Sequence, residues 1–447
     1  MNTPINENIE VEEKTRSNFC MNKFVLTVNF EIDKIKDPKN LEDLENYCTL
    51  LHEYTHYLQS FCTFAGASAL FDFFCLQDKI IQETRNEILK SKNYDTLIFS
   101  KYRGQYTEIW YKNNGDNEIT TISDESFPNY TIKIKNVITQ EGLKDKWFIK
   151  IDSDIYNISG KMLKETMAMM SMYAVKKLPN SEIVKVFSEK QYSGLYTYLF
   201  LYFYKKYPNI NDLVRFTYQF AELCLQSANT EEMINKVLSF LDDYYPNYKN
   251  SFSFLHSFYK KYPEIKTMFH DKVEEIFIKI DELRTRKENE YYKILIKYLE
   301  LLAQGLVISE KYDSLFTRPM DKSFLEHYTN FLSSPIIVES LGFNEEKKYI
   351  LKTLDNSRNH DDLALLYSIS IILDYYITKD KDFSKCPFLE APHICRIQND
   401  KNIIEEVCEK DPYCIKTFPD GGNCLFYNAN KIFGFLPADE INKFIKL

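Results

Sequence analysis

Residues 48–64 of the chain read CTLLHEYTHYLQSFCTF, and this stretch organises the rest of the sequence. Apolar residues recur through it at spacings of three and four, which predicts a buried helix that starts near Leu41. Because side chains four positions apart lie on one face of a helix, the imidazoles of His52 and His56 converge on one point. Two such imidazoles suit zinc, and Glu53 lies where a general base reaches a water on the open side of the metal.

The simpler alternative is that His52 and His56 are hydrogen-bonded core residues, which is the usual interpretation of a lone buried histidine. The complete HExxH pattern, with Glu53 present and no helix breaker nearby, favours a metal site over that alternative.

The composition predicts a predominantly helical α+β protein. Aromatic residues make up 15% of the 447 positions and there are only 11 glycines, which favours helices over a turn-rich β-protein. A net charge of −9 argues against a broad nucleic-acid surface, since such surfaces neutralise phosphates with Lys and Arg. No signal peptide and no long uncharged apolar stretch is readable, so the sequence predicts a cytoplasmic chain with no membrane segment.

Local patterns predict how the chain is divided. Residues 22–32 alternate as a strand does, the motif helix is expected to stop at Gly66, and a second helix follows over residues 67–91. Residues 96–159 contain several strand-like runs, among them TEIWYK at 107–112, and they are expected to complete the sheet begun by the strand at 22–32. The predicted parts are a disordered tail (1–20), a catalytic part (21–178), a helical domain (179–380) and a Cys-rich C-terminal subdomain (381–447).

The HExxH motif resembles that of the zincin metallopeptidases, which divide by their third metal ligand. One branch continues as HExxHxxGxxH, and this chain has Gln59 and Cys62 where that branch needs Gly and His. The gluzincin branch instead takes a Glu from a later helix. The apolar helix predicted over residues 159–176 carries Glu165, followed at the ExxA position by Ala168. Burying that carboxylate is costly unless it is paired or bound to a cation. The alternative places Glu165 on a solvated face.

The resemblance implies a zincin-like core with a small β-sheet, Zn²⁺ as cofactor, and ligands His52, His56 and Glu165. It further implies that Glu53 acts as general base on a zinc-bound water, in an endopeptidase that hydrolyses an intracellular protein or peptide. A Tyr or His that stabilises the oxyanion is also expected, and Tyr173 and His360 are the candidates. Gln59, one turn after His56, is expected to orient a ligand.

Five cysteines gather near the C-terminus, and they suggest a second, structural metal site. No CxxC pair is present, so buried free thiols and redox-switchable thiols stay open as alternatives. The remaining cysteines are expected to be small core residues. The five are Cys386, Cys395, Cys408, Cys414 and Cys424.

The predicted partners of the peptidase are a protein or peptide substrate and a regulatory protein. Two other functions are alternatives to this prediction. One is a catalytically idle zinc-binding scaffold whose helices recruit a partner, although an intact Glu53 argues against it. The other is a metal-free helical interaction protein in which the HExxH motif is a coincidence. No nucleotide motif such as GxxxxGK is present.

Overall fold

The computed structural model describes most of the chain up to residue 373. The described residues are 18–20, 25–35, 40–91, 101–114, 128–139, 142–189, 194–286, 290–315, 320, 322–332, 335–341, 348–352, 360–373, 377, 429 and 432. Of the predicted tail, residues 1–17 lie outside this set, whereas residues 18–20 form a strand. The Cys-rich segment lies outside it apart from residues 429 and 432.

The fold is predominantly helical, as the composition predicts. The strands are β1 (Asn18–Cys20), β2 (Val25–Val28), β3 (Thr131–Thr139), β4 (Gly142–Ile151), β5 (Asp154–Asn157), β6 (Ile336–Leu341) and β7 (Lys348–Lys352). The helices of the first part are α1 (Ile32–Ile35), α2 (Leu41–Cys62), α3 (Phe64–Ser91), α4 (Arg103–Asn114), α5 (Gly160–Lys176) and α6 (Asn180–Ser188). The later helices are α7 (Gly194–Lys206), α8 (Leu213–Cys224), α9 (Thr230–Tyr244), α10 (Ser251–Lys261), α11 (Glu264–Arg284), α12 (Glu290–Lys311), α13 (Lys322–Leu332) and α14 (His360–Leu373).

Two small sheets flank the helices. The first has the strand order β1-β2-β6-β7, in which β2 and β6 are parallel and the outer pairs are antiparallel. Its parallel pair places Val25 opposite Ile336, so strands from the two ends of the described chain share one sheet. The second is the antiparallel sheet β3-β4-β5, whose β5 leads directly into α5.

The sheet prediction was therefore wrong in one respect. Residues 96–159 were expected to complete the sheet begun by the N-terminal strand, but β6 and β7 complete it and β3 to β5 form a sheet of their own. The strand-like segment TEIWYK is part of α4, because Tyr106 and Ile109 pack one helical turn apart against the core, with the Tyr106 ring 6.0 Å from Phe73 of α3. Tertiary packing has overridden the local β-propensity.

Helix α2 lies at the centre of the molecule and is buried on nearly all sides from Tyr47 to Cys62. It ends at Cys62 rather than at Gly66, because the backbone of Thr63 is extended. The hydroxyl of Thr63 accepts from the N–H of Gly66 and donates to the carbonyl of Gln59. Gly66 lies inside α3, and a Cβ there would come within 2.1 Å of that same carbonyl oxygen. The absence of a side chain at Gly66 thus permits the tight bend between α2 and α3.

Within the described residues, no single helix is both long enough and apolar enough to cross a membrane. Helices α2 and α3 pass that test only as a pair, across a bend of 73°.

Candidate metal centre

Helices α2 and α5 carry the predicted ligands, and both begin at capped N-termini. Asn40 accepts a hydrogen bond from the backbone N–H of Asp43 at the start of α2. Ser159 does the same for Met162 at the start of α5, which confirms the predicted Ser-Gly helix start. The helix that carries Glu165 therefore begins one and a half turns before it, at a fixed place in the chain.

The two helices pack antiparallel through a series of polar contacts. At one end Lys176 forms a 2.8 Å ion pair with Glu45. In the middle the hydroxyl of Thr55 donates to Ser171, at 3.1 Å, and both are fully buried. At the other end the side chain of Gln59 reaches the first turns of α5. These contacts fix the register that sets His52 and His56 opposite Glu165.

The three predicted ligands converge. One oxygen of Glu165, Oε2, lies 3.4 Å from Nε2 of His52 and 3.3 Å from Nε2 of His56. One donor atom from each residue lies within 4.8 Å of the others. The side chains are 11–18% exposed, so the site is sheltered yet open to solvent.

These spacings fit zinc. Two ligand atoms that are each about 2.0–2.1 Å from a tetrahedral zinc ion lie about 3.3–3.4 Å apart. A direct N–H···O hydrogen bond is shorter, at about 2.7–3.2 Å. The donor set, two imidazoles and one carboxylate, is also that of catalytic zinc sites. His52, His56 and Glu165 are thus the residues that could hold the ion.

The charges at the site keep the carboxylate of Glu165 ionised, which is the form that binds a metal ion. Burial alone would raise the pKa of Glu165, but the adjacent rings of His56 and His52 hold it well below its usual range. Burial alone would lower the pKa of His56. Glu165, Glu53 and Gln59 together outweigh burial and raise this pKa to about 9. A divalent cation would take the place of the proton on Nε2 of His56.

Glu53 lies beside the three ligands and is 7% exposed. It follows His52 directly on α2, about 100° further round the helix, so it is not part of the ligand set. Its charge contributes to the raised pKa of His56. This is the position that the sequence predicts for a base.

The structure brings a further side chain to the site that the sequence did not single out. The ring of Tyr196, in the first turn of α7, lies 6.2 Å from the ring of His52. Helix α7 is held in place by Tyr198, whose hydroxyl donates to Asp154 of β5 at 2.7 Å. Tyr196 belongs to a run of aromatic residues that indicates helix packing, so only the tertiary structure distinguishes it.

Neither of the two other predicted catalytic residues, Tyr173 and His360, is among the described side chains at the candidate metal centre. Tyr173 lies two turns after Glu165 on α5, about 12 Å along the helix axis, and is buried against Phe187. His360 begins α14, and its side chain is not among those described. The five C-terminal cysteines, Cys386, Cys395, Cys408, Cys414 and Cys424, also lie outside the described residues, so the second metal site stays a prediction.

Three of the described cysteines are core residues, as the sequence predicts, whereas Cys75 is half-buried at the edge of the core. Cys48, Cys62 and Cys224 are buried free thiols. Burial raises the pKa of Cys48 to about 12, which makes it a poor nucleophile at neutral pH.

Comparison with known proteins does not assign this site. The chain matches no family model, no curated protein and no solved structure.

Proposed function

We propose that the chain is a zinc metallopeptidase with a zincin-like, gluzincin-type centre that hydrolyses peptide bonds in a protein or peptide. The observation that carries this proposal is the convergence of His52, His56 and Glu165, from helices more than a hundred residues apart, at the spacing of a tetrahedral zinc site. Glu53 next to those ligands supports catalysis rather than a purely structural ion.

A bound zinc ion would supply Lewis acidity, both to a peptide carbonyl and to the attacking water. Glu53 takes a proton from that water as its oxygen bonds to the carbonyl carbon. The C–N bond then breaks, and Glu53 returns the proton to the leaving amine. Because Glu53 is nearly buried, few bulk water molecules compete for its proton.

Tyr196 is the residue we assign to the carbonyl oxygen. Its ring lies on the His52 side of the ligand set, which is nearer to the centre than Tyr173 lies. A phenol O–H in that position donates to the oxygen as it becomes negative.

Zinc content is the first test. We expect one zinc per chain at the proposed site in protein purified without added metal, and loss of that zinc in the double variant His52→Ala/His56→Ala. The matched control is His256→Ala/His270→Ala, which removes two exposed histidines from α10 and α11. Zinc content that is the same in both double variants would contradict the proposed site.

Hydrolysis is the second test, and it separates an enzyme from an idle scaffold. Wild type and Glu53→Gln are each incubated with a mixture of unfolded proteins, and new peptide termini are counted by mass spectrometry. We expect both proteins to bind zinc and only the wild type to generate termini. Zinc binding without new termini in either protein would favour the scaffold.

A further inference from the structure

Gln59 is a buried polar side chain beside the candidate metal centre, at 1% exposure, and it bridges α2 and α5. Its Oε1 lies 2.9 Å from Nδ1 of His56, one turn earlier on the same helix. Its Nε2 donates at 2.8 Å to the backbone carbonyl of Lys164, the residue that precedes Glu165. Both ends of the amide are thus engaged, each next to a different ligand.

The chemistry of these partners fixes which way the amide points. A backbone carbonyl only accepts hydrogen bonds, so the NH₂ group of Gln59 must face Lys164. Its carbonyl oxygen must then face His56, and this oxygen only accepts. Nδ1 of His56 is therefore the nitrogen that carries a hydrogen, and Nε2, which faces Glu165, is left to bind the metal.

The other ligand histidine has no such partner. Nδ1 of His52 is buried without a hydrogen bond to any described residue. The orientation of His56 is thus set by an identifiable side chain, while that of His52 is set by packing.

We propose that Gln59 is a positioning residue for the metal, through the hydrogen-bonded bridge His56–Gln59–Lys164. It holds His56 in the tautomer that offers Nε2, and it holds the turn of α5 that carries Glu165 at a fixed distance from α2. This inference rests on the proposed metal site and adds to it a residue that touches neither metal nor substrate. Removing such a partner typically weakens metal affinity about 10- to 100-fold.

The test compares Gln59→Leu with Gln59→Glu. Leucine removes both hydrogen bonds. A glutamate keeps the acceptor for His56 and, in its protonated form, also the donor to Lys164. We expect Gln59→Leu to raise the Kd for zinc about 10- to 100-fold, measured by competition with a chelator, and Gln59→Glu to recover most of that loss. Cobalt(II) replaces zinc in a second readout, and Gln59→Leu should alter its visible absorption spectrum.

Gln226→Leu is the matched control, because Gln226 is also buried and accepts a hydrogen bond from the backbone N–H of Phe64, far from the ligands. We expect it to lower the thermal stability of the metal-free protein without changing the Kd for zinc or the cobalt spectrum. Equal loss of zinc affinity in Gln226→Leu and Gln59→Leu would show a general packing effect and overturn the proposed role.

The outcomes also separate this inference from the proposed function. If zinc is lost in His52→Ala but bound with unchanged Kd by Gln59→Leu, only the role of Gln59 is overturned. If the wild type binds no zinc at these residues, both are overturned. A Gln59→Glu variant as weak as Gln59→Leu would overturn the assignment of the His56 tautomer.

Discussion

Each carboxylate in the core of this protein has its own set of neighbours, and the neighbours determine what it does. Glu165 faces two imidazoles, Glu53 lies beside them, and Glu222 of α8 is buried with a serine hydroxyl and a backbone N–H as hydrogen-bond donors. The first is held ionised by its partners, whereas burial raises the pKa of Glu222 to about 7. In the function proposed above, the same residue type thus serves as a metal ligand at Glu165 and a base at Glu53, whereas at Glu222 it is a buried hydrogen-bond acceptor.

Tyr196→Phe tests the assignment of the phenol at the centre. The change removes one hydroxyl and keeps the ring against His52. We expect kcat to fall by about 10²-fold with little change in KM and in zinc content, because the hydrogen bond strengthens only as charge develops on the oxygen. Tyr173→Phe is the control, since Tyr173 is buried two turns away, and it should leave kcat unchanged. A larger fall in kcat for Tyr173→Phe than for Tyr196→Phe would assign the stabilisation of the carbonyl oxygen to Tyr173.

Glu222→Gln tests the pH dependence of stability. Glu222 accepts hydrogen bonds from the hydroxyl of Ser314 and, at 2.7 Å, from the backbone N–H of Leu315, but burial dominates its pKa. In the unfolded chain a Glu ionises near pH 4.5, and in the folded protein Glu222 does so only near pH 7. Between these values the unfolded state binds fewer protons, so the free energy of unfolding falls as pH rises.

A shift of this size corresponds to about 3 kcal/mol lost between pH 4.5 and pH 7. The glutamine side chain of the variant does not titrate, so the variant should gain about that much relative to the wild type as pH rises through this window. Urea unfolding of both proteins at pH 5 and pH 8 measures the difference. Parallel stability profiles for the two proteins would mean that Glu222 ionises normally.

Single elements were predictable where the local signals agreed. Helices α2 and α5 follow their apolar periodicity, and each starts where the sequence predicts, near Leu41 and at Ser159. The phrase FYKKYP, which occurs at 203–208 and 258–263, ends a helix in the same way both times. In each copy the tyrosine N–H donates to the phenylalanine carbonyl four residues earlier, Tyr207 to Phe203 and Tyr262 to Phe258. A local sequence here determines a local structure.

Predictions failed where a distant element decided the outcome. Gly66 was expected to end a helix. It instead lies at the bend between α2 and α3, where a side chain would clash with the carbonyl of Gln59. Strands β6 and β7 were missed because β6 pairs with β2, more than three hundred residues away, and β7 joins the sheet through β6. Periodicity within a short window contains no information about such contacts.

Gly305→Ala tests the contact between α12 and α2. A Cβ on Gly305 would lie 2.5 Å from the backbone carbonyl oxygen of Phe61, which has little freedom to move in a fully buried helix. Alanine favours the helix by about 1 kcal/mol. The clash should outweigh this gain, so we expect a net destabilisation of about 1–3 kcal/mol.

Gly104→Ala is the control for Gly305→Ala. Gly104 lies in α4, is exposed, and has nothing within 4 Å of an added Cβ. Helix propensity alone should then act, and we expect stabilisation of up to about 1 kcal/mol. Chemical denaturation of both variants measures the two effects. A stabilised Gly305→Ala variant would mean that α12 does not approach α2 as closely as described.

At the scale of the whole molecule, the candidate metal site depends on the helices that pack around α2. His52, Glu53 and His56 come from this central helix, Glu165 from α5 and Tyr196 from α7, and the sheet β3-β4-β5 supports α7 through Asp154. The convergence of the three proposed ligands was predictable from short motifs. The surroundings of the site were not, because Tyr196 is one of 33 tyrosines and its place follows from the packing of three helices.

Zinc should stabilise the molecule unevenly. The proposed ligands lie on α2 and α5, so a bound ion would join these helices in addition to their contacts at Lys176, Ser171 and Gln59. An ion that binds only the folded state adds about 2.7 kcal/mol of stability when free zinc is a hundred times its Kd. Its effect on local opening should be largest where the ligands lie.

Hydrogen exchange with and without zinc measures this distribution. We expect slower exchange with zinc for the amides of α2 and α5 around the ligands, and a much smaller change for α10, which carries no ligand and packs against α8 and α9. The variant His52→Ala/His56→Ala should show no zinc-dependent change in any of the three helices. Equal protection of α10, α2 and α5 by zinc would mean that the ion stabilises the fold globally or binds elsewhere. Zinc protection that persists in the double variant would locate the ion away from these histidines, since no ligand helix would then be joined through them.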